Sequence, residues 1–197
     1  MNFKGMEKVA DLIVINLLFI LCSLPVVTIG ASATAMHYCL RRWREGEGKI
    51  TKDFFKSFRL NLRQATILWF VFLLLAAVLA ANFLLIRDWT GPVYQIAMVM
   101  LMVVSAVLLL WVSVVFPFLA RFDNTTGKIG KNALLIAVVS PARSAVAAAL
   151  NALPVVLAAV LPGIFLICSV LWLGLLCSAS GFVVQLMFAP VFDRIGK

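Results

Sequence analysis

Apolar residues run through this chain in long blocks. Four of them, residues 66–86, 93–119, 145–161 and 163–188, approach or exceed the 20 or so apolar residues that a helix needs to cross a bilayer. A fifth block, residues 9–35, is interrupted by the stretch LPVVTIG at residues 24–30. The pattern predicts an all-α polytopic membrane protein, one membrane domain over residues 1–197. It would have about five transmembrane helices, the first broken at LPVVTIG.

Two arrangements fit the broken block. A bend within one span places the N-terminus outside and gives five crossings. A hairpin with its tip at LPVVTIG places the N-terminus inside. The second arm of that hairpin, ASATAMHYCL, is too short and too polar to face lipid over a full span, which favours five crossings. Within the break, Pro25 removes a backbone donor, Gly30 permits a sharp turn, and Thr28 can satisfy a freed carbonyl. Irregular backbone at membrane depth is tolerated where protein covers it or water reaches it. The stretch is therefore expected at the bundle interior or the outer interface, as a functional element or as a structural kink.

Composition agrees with the blocks. Residues are 64% hydrophobic and only 13% charged, about half the charged fraction of an ordinary soluble domain. The 17 Lys and Arg against 8 Asp and Glu give a net charge of +9. Arg41, Arg42, Arg44, Lys49, Lys52, Lys56, Arg59 and Arg63 lie between the first two blocks. Arg121, Lys128 and Lys131 lie between the third and fourth, and Arg194 and Lys197 close the chain. Alternating crossings put all of these on one side and leave Lys4, Lys8 and Arg87 opposite; Arg143 stands apart at the start of the fourth block. The positive-inside bias makes the basic loops and the C-terminus cytoplasmic. No aromatic stacking platform accompanies these charges, so nucleic acid is not an expected partner. A cleaved signal peptide is the other reading of the N-terminus, with Lys4 and Lys8 before an apolar core and Ala31-Ser32-Ala33 as the cleavage site. The arginine cluster immediately after it argues against that, because such clusters resist translocation.

LRRWREGEGKITK, residues 40–52, aligns without a gap on LARFDNTTGKIGK, residues 119–131. Leu40, Arg42, Gly48, Lys49, Ile50 and Lys52 match Leu119, Arg121, Gly127, Lys128, Ile129 and Lys131, and Trp43 faces Phe122. The match suggests a parallel internal repeat: loop, elbow and outward helix, used twice. In the first elbow, with Thr51 as N-cap, Phe54, Phe55, Phe58, Leu62 and Ala65 share one face, and Lys52, Lys56, Arg59 and Arg63 form a separate stripe. Such a helix lies in the cytoplasmic interface with its rings buried and its cations toward anionic lipid headgroups. The stripe is either a plain membrane-surface elbow or a docking surface for an acidic partner. Residues 132–139, ending at Ser140-Pro141, form a second, more deeply inserted elbow.

Polar residues within the blocks are few. Asn16, Asn151 and Gln185 are placed to hydrogen-bond between helices, and Arg143 either snorkels to the interface or binds an anion or a lipid headgroup. In the fourth block, small residues recur every fourth position (Ser144, Ala148, Ala152; Ala145, Ala149), which predicts a central helix, kinked at Pro154. No carboxylate falls mid-span, which argues against a proton-coupled pump and an intramembrane aspartyl protease. Cys22, Cys168 and Cys177 lie in apolar blocks and Cys39 just before the basic cluster, so no disulfide framework is expected. With His37 the sole histidine, neither a metal site nor a Ser-His-Asp constellation can be assembled. No phosphate-binding glycine motif occurs. No catalytic residue, metal or cofactor is expected.

The chain resembles, along its whole length and most specifically in its first 65 residues, the YesL family of bacterial membrane proteins, a family of unknown function. The likeness rests on Asn16, the Pro25-x-x-Thr28-x-Gly30 break, the run 31–35, the elbow rings Phe54, Phe55 and Phe58, and Asn61, with the RFD segment 121–123 further on. The resemblance implies a small multi-span protein of the bacterial plasma membrane, often encoded beside carbohydrate ABC transporter genes. It therefore implies a non-catalytic accessory or regulatory part in sugar uptake, with an ABC permease as partner. It supplies no catalytic residues. The alternative is a small stand-alone carrier or channel whose path is lined by the broken first helix.

Overall fold

The computed structural model describes residues 3–46 and 49–195. Gly48 of the repeat and Lys197 of the charge map lie outside them, as do the side chains of Lys4 and Cys168. The described chain is all-helical. Helix α1 (Phe3–Ser23) leads through a single 3-10 turn (Val26–Thr28) into α2 (Ile29–Arg44). Then come α3 (Ile50–Ile86), α4 (Pro92–Leu119), α5 (Thr126–Val139), α6 (Pro141–Val160) and α7 (Pro162–Leu171). One π turn (Trp172–Leu176) joins α7 to α8 (Cys177–Ile195). Pro92, Pro141 and Pro162 each open a helix, where the missing N–H has no intrahelical partner to lose. Gly91, at φ 85°, makes the turn ahead of Pro92, a backbone conformation that favours glycine.

Four stretches among the described residues are long and apolar enough to cross a membrane: Ile50–Ile86, Pro92–Leu119, Pro141–Val160 and Gly174–Ile195. Their apolar side chains are largely exposed, as in Leu74, Val78 and Leu85 of α3 and Val99, Met102 and Val103 of α4. Exposed apolar surface on this scale is unstable in water and at home in lipid. The chain is an all-α, multi-pass membrane protein.

The first block is not one broken crossing. The Trp43 indole N–H donates to Asp11 Oδ2 at 3.1 Å, and Ile15 packs in one cluster with Ala35, Met36 and Cys39. Residues so far apart in sequence meet because the chain reverses between Leu24 and Thr28, making α1 and α2 a helical hairpin. The objection that α2 is too polar to face lipid is met by burial, since Ala31, Ser32, Thr34, Ala35, Met36 and His37 are all enclosed by other helices.

The elbow before the second block is not a separate helix either. Helix α3 is continuous for 37 residues, about 55 Å at 1.5 Å per residue, longer than a bilayer core of about 30 Å. It starts at Ile50 with Lys49 as its uncapped leading residue; Thr51 is therefore not the N-cap. It runs antiparallel to α2, joined at one end by the Arg42–Asp53 ion pair at 3.4 Å. At the other end, Trp69 donates its indole N–H to the Val26 carbonyl at 2.8 Å. The following 17 or so residues extend beyond the hairpin tip beside α4.

The core therefore sits at the basic end of the bundle. Phe54, Phe118, Phe188 and Phe192 are fully enclosed there, with Leu40, Val114 and Ile129. Helix α6 is not central: only Ser144 and Ala147 of it are buried. Its small residues allow one close approach near its start, and the rest lies at the edge. Pro154 lies inside α6, which remains helical to Val160.

Candidate functional site

In the broken-helix element, Leu24, Val26 and Val27 are exposed at the hairpin tip. The Thr28 hydroxyl lies 2.6 Å from the Cys22 carbonyl and 2.8 Å from that of Pro25. It thus serves the Cys22 carbonyl in the last turn of α1, whereas the Pro25 carbonyl also accepts the Thr28 backbone N–H at 2.9 Å. Gly30 has a different role from the expected one. It is not the turn residue but a buried position inside α2. A Cβ there would stand 2.7 Å from the Ala65 carbonyl oxygen and 2.8 Å from the Phe116 ring. Gly30 is the point where α2, α3 and α4 come together.

Asn16 and Gln185 are both buried and both tie helices together. The Asn16 side-chain amide donates to the Trp172 carbonyl at 3.1 Å, and its oxygen accepts the Ser178 N–H at 2.9 Å. Trp172 opens the π turn and Ser178 follows it, so the amide braces α1 against the irregular stretch of the last helix. Gln185 donates to the His37 carbonyl at 3.1 Å, bracing α8 against α2. Asn151 donates to Ser113 Oγ at 3.1 Å, in the region of α4 loosened by Pro117. Arg143 lies half-buried in the first turn of α6; the structure does not bring it to the other three. Beside Ser113 and Asn151, an apolar cavity of about 510 Å³ also touches His37, whose Nδ1 is buried with no partner.

Lys52, Lys56, Arg59 and Arg63 are all exposed along the start of α3. The ring face differs from the expected one. Phe54, Ser57, Ala65 and Leu68 are buried, whereas Phe55 and Leu62 are exposed alongside the cations. The outward face therefore mixes rings with positive charge, as an interfacial surface does.

The two repeat segments make parallel contacts with α8. Trp43 meets Phe182 edge-on at 5.2 Å, and Phe122 meets Phe192 edge-on at 5.9 Å. Arg42 pairs with Asp53, and Arg121 with Asp193. Beyond the repeat the two diverge, since α5 stops at Val139 whereas α3 continues without a break.

Sequence reasoning missed a polar recess of about 530 Å³ between these segments. It is lined by Tyr38 and Arg41 of α2, Lys56 and Gln64 of α3, and Arg121 and Asp123 of the loop after α4. Gln64 closes one wall by donating to the Asn124 carbonyl at 2.9 Å. The repeat was the available signal, because it brings two basic turns to one end of the bundle.

Among the described residues no three His, Cys, Asp or Glu side chains gather as a metal ion would require. Cys22, Cys39 and Cys177 are unbridged.

Fold and site together define a multi-pass helical membrane protein with one basic end. Residues 12–83, from α1 to near the end of α3, match the model of a family described as "Protein of unknown function, DUF624". No curated protein and no solved structure matches the chain.

Proposed function

We propose that this chain is a non-catalytic accessory or regulatory component of the bacterial plasma membrane, acting with a carbohydrate ABC permease. The observation that carries the reading is the stripe Lys52, Lys56, Arg59 and Arg63, exposed and without an ion-pair partner among the described residues. Its likeness to the YesL family supports the link to sugar transport, and residues 12–83, which match a family of unknown function, contain the stripe. In this reading α1 and α2 enter the membrane as a hairpin from the cytoplasm, and four crossings follow. Lys8 then joins the basic loops inside, which suits the positive-inside bias better than five crossings would. The start of α3, continuous with the crossing that follows, and helix α5 lie at the cytoplasmic interface, among anionic headgroups.

The test is co-isolation in mild detergent followed by a salt wash. An ABC permease recovered at near-equal amounts with the natural chain, and lost on neutralising the four stripe residues, supports the reading. Retention of the permease by the quadruple variant, with membrane insertion intact, makes the stripe a lipid contact only.

The cavity beside His37, Ser113 and Asn151 favours a second reading, a small carrier acting alone. Flux of a solute in liposomes holding only this protein, reduced by Asn151→Leu, would support it. Absence of flux over a broad sugar panel would count against it. Gly30→Leu is unsuited to this test, because it would disrupt packing rather than a path.

A further inference from the structure

Three arginines stand together where the repeat segments meet, and among the described residues only two of them pair with a carboxylate. Arg42 pairs with Asp53 and Arg121 with Asp193. Arg41 is half-buried, and its Nε is enclosed with no acceptor among the described residues. Its guanidinium lies over the Tyr38 ring, 5.5 Å from the centroid. Enclosing part of a guanidinium away from water without a counter-charge is costly, so a half-buried arginine of this kind favours an anion beside it. Among the described residues no carboxylate pairs with Arg41: Asp123 lines the same recess, yet it forms no ion pair with Arg41.

We propose that the polar recess between the repeat segments is a phosphate-binding site, in which a phosphate group supplies the counter-ion of Arg41. Lys56 of α3 lines the same recess and adds a second positive charge. The Tyr38 hydroxyl accepts from Arg42 at 3.4 Å, which leaves its own proton free to donate. A guanidinium, an ammonium and a hydroxyl around one pocket suit an anion with several oxygens, and arginine held by a ring presents its fork ready for two of them. The group could belong to a lipid headgroup or to a soluble phosphate ester, since the recess is at the interfacial end of α3. This goes beyond the accessory role and does not depend on any permease.

The full chain, purified in a maltoside detergent, is titrated by calorimetry with inorganic phosphate, and separately with phosphatidylglycerol in the same micelles. Saturable binding is expected, weakened about tenfold or more by Arg41→Gln, the loss of one charge-assisted hydrogen-bonding group. Lys56→Gln, at an exposed position, should weaken it severalfold without disturbing the fold. Asp123→Asn should tighten it, because it removes a like charge, and Lys128→Gln on α5 should leave it unchanged. Binding of inorganic phosphate with this pattern assigns the site to a soluble phosphate; binding of the lipid alone with this pattern assigns it to a headgroup. Saturable binding of neither probe, or binding indifferent to Lys56→Gln, overturns the proposal.

Discussion

Gly30 and Ala65 face each other so closely that a Cβ on Gly30 would lie 2.7 Å from the Ala65 carbonyl oxygen. The neighbour is backbone, and Phe116 closes the other side, so neither helix can yield by a side-chain rotation. Gly30→Ala should destabilise the protein by about 1–3 kcal/mol, the usual range for an overfilled core. Thermal unfolding in detergent would show it as a lowered midpoint, and an unchanged midpoint would mean that α2 and α3 are further apart than described.

The hairpin makes a prediction that a single broken span does not. Asp11 and Trp43 are hydrogen-bonded, whereas in a straight crossing they would lie near opposite faces of the bilayer. In a cysteine-free background, Asp11→Cys with Trp43→Cys should be joined by a short bismaleimide in native membranes. Failure to link, with each cysteine reactive alone, would restore the single-span arrangement.

Asn16→Leu should loosen the last helix, because the Trp172 carbonyl and the Ser178 N–H both lose their hydrogen bond to the Asn16 amide. Interhelical hydrogen bonds in membranes are worth about 0.6–2 kcal/mol each. The expected readout is a lower unfolding midpoint together with faster proteolysis near Ser178. Equal protease resistance in the variant would mean that the π turn holds by itself.

The pair Arg121–Asp193 should behave asymmetrically. Asp193 is mostly exposed, and surface ion pairs contribute about 0–1 kcal/mol. Arg121 also lies 5.9 Å from the ring centroids of both Phe122 and Phe192. Arg121→Ala should therefore lower the unfolding midpoint more than Asp193→Ala does. Equal losses would show that the ion pair, and not the ring contact, is what counts.

The sequence made the membrane class and the long spans legible because burial in lipid demands unbroken apolar runs, and residues 66–86 and 93–119 supply them. It made the hairpin harder to see. The polarity of Ser32, Thr34 and His37 looked incompatible with lipid, and nothing local shows that α3, α4 and α8 cover that arm. Gly30 was assigned to the turn on the same local ground, since a glycine that makes room for a neighbour looks the same as one that bends. Phe55 was placed inward by helical spacing, yet one position of rotation separates it from Phe54, which is fully buried. The recess at Arg41 depends on three segments distant in the chain, and only the repeat hinted that two of them share a purpose.

The Asn16 bridge joins residues 156 and 162 positions apart, nearly the two ends of the chain. During synthesis at about 5–20 residues per second, α1 emerges roughly 8–30 s before the backbone groups that Asn16 will bind. For that interval its amide is a polar group in an unfinished bundle, where lipid offers it no hydrogen bond. Closure of this seam thus waits until α8 has been made and α1 locks it. A chain interrupted before Trp172 would be left with an open seam, the buried Asn16 amide lacking both of these backbone partners.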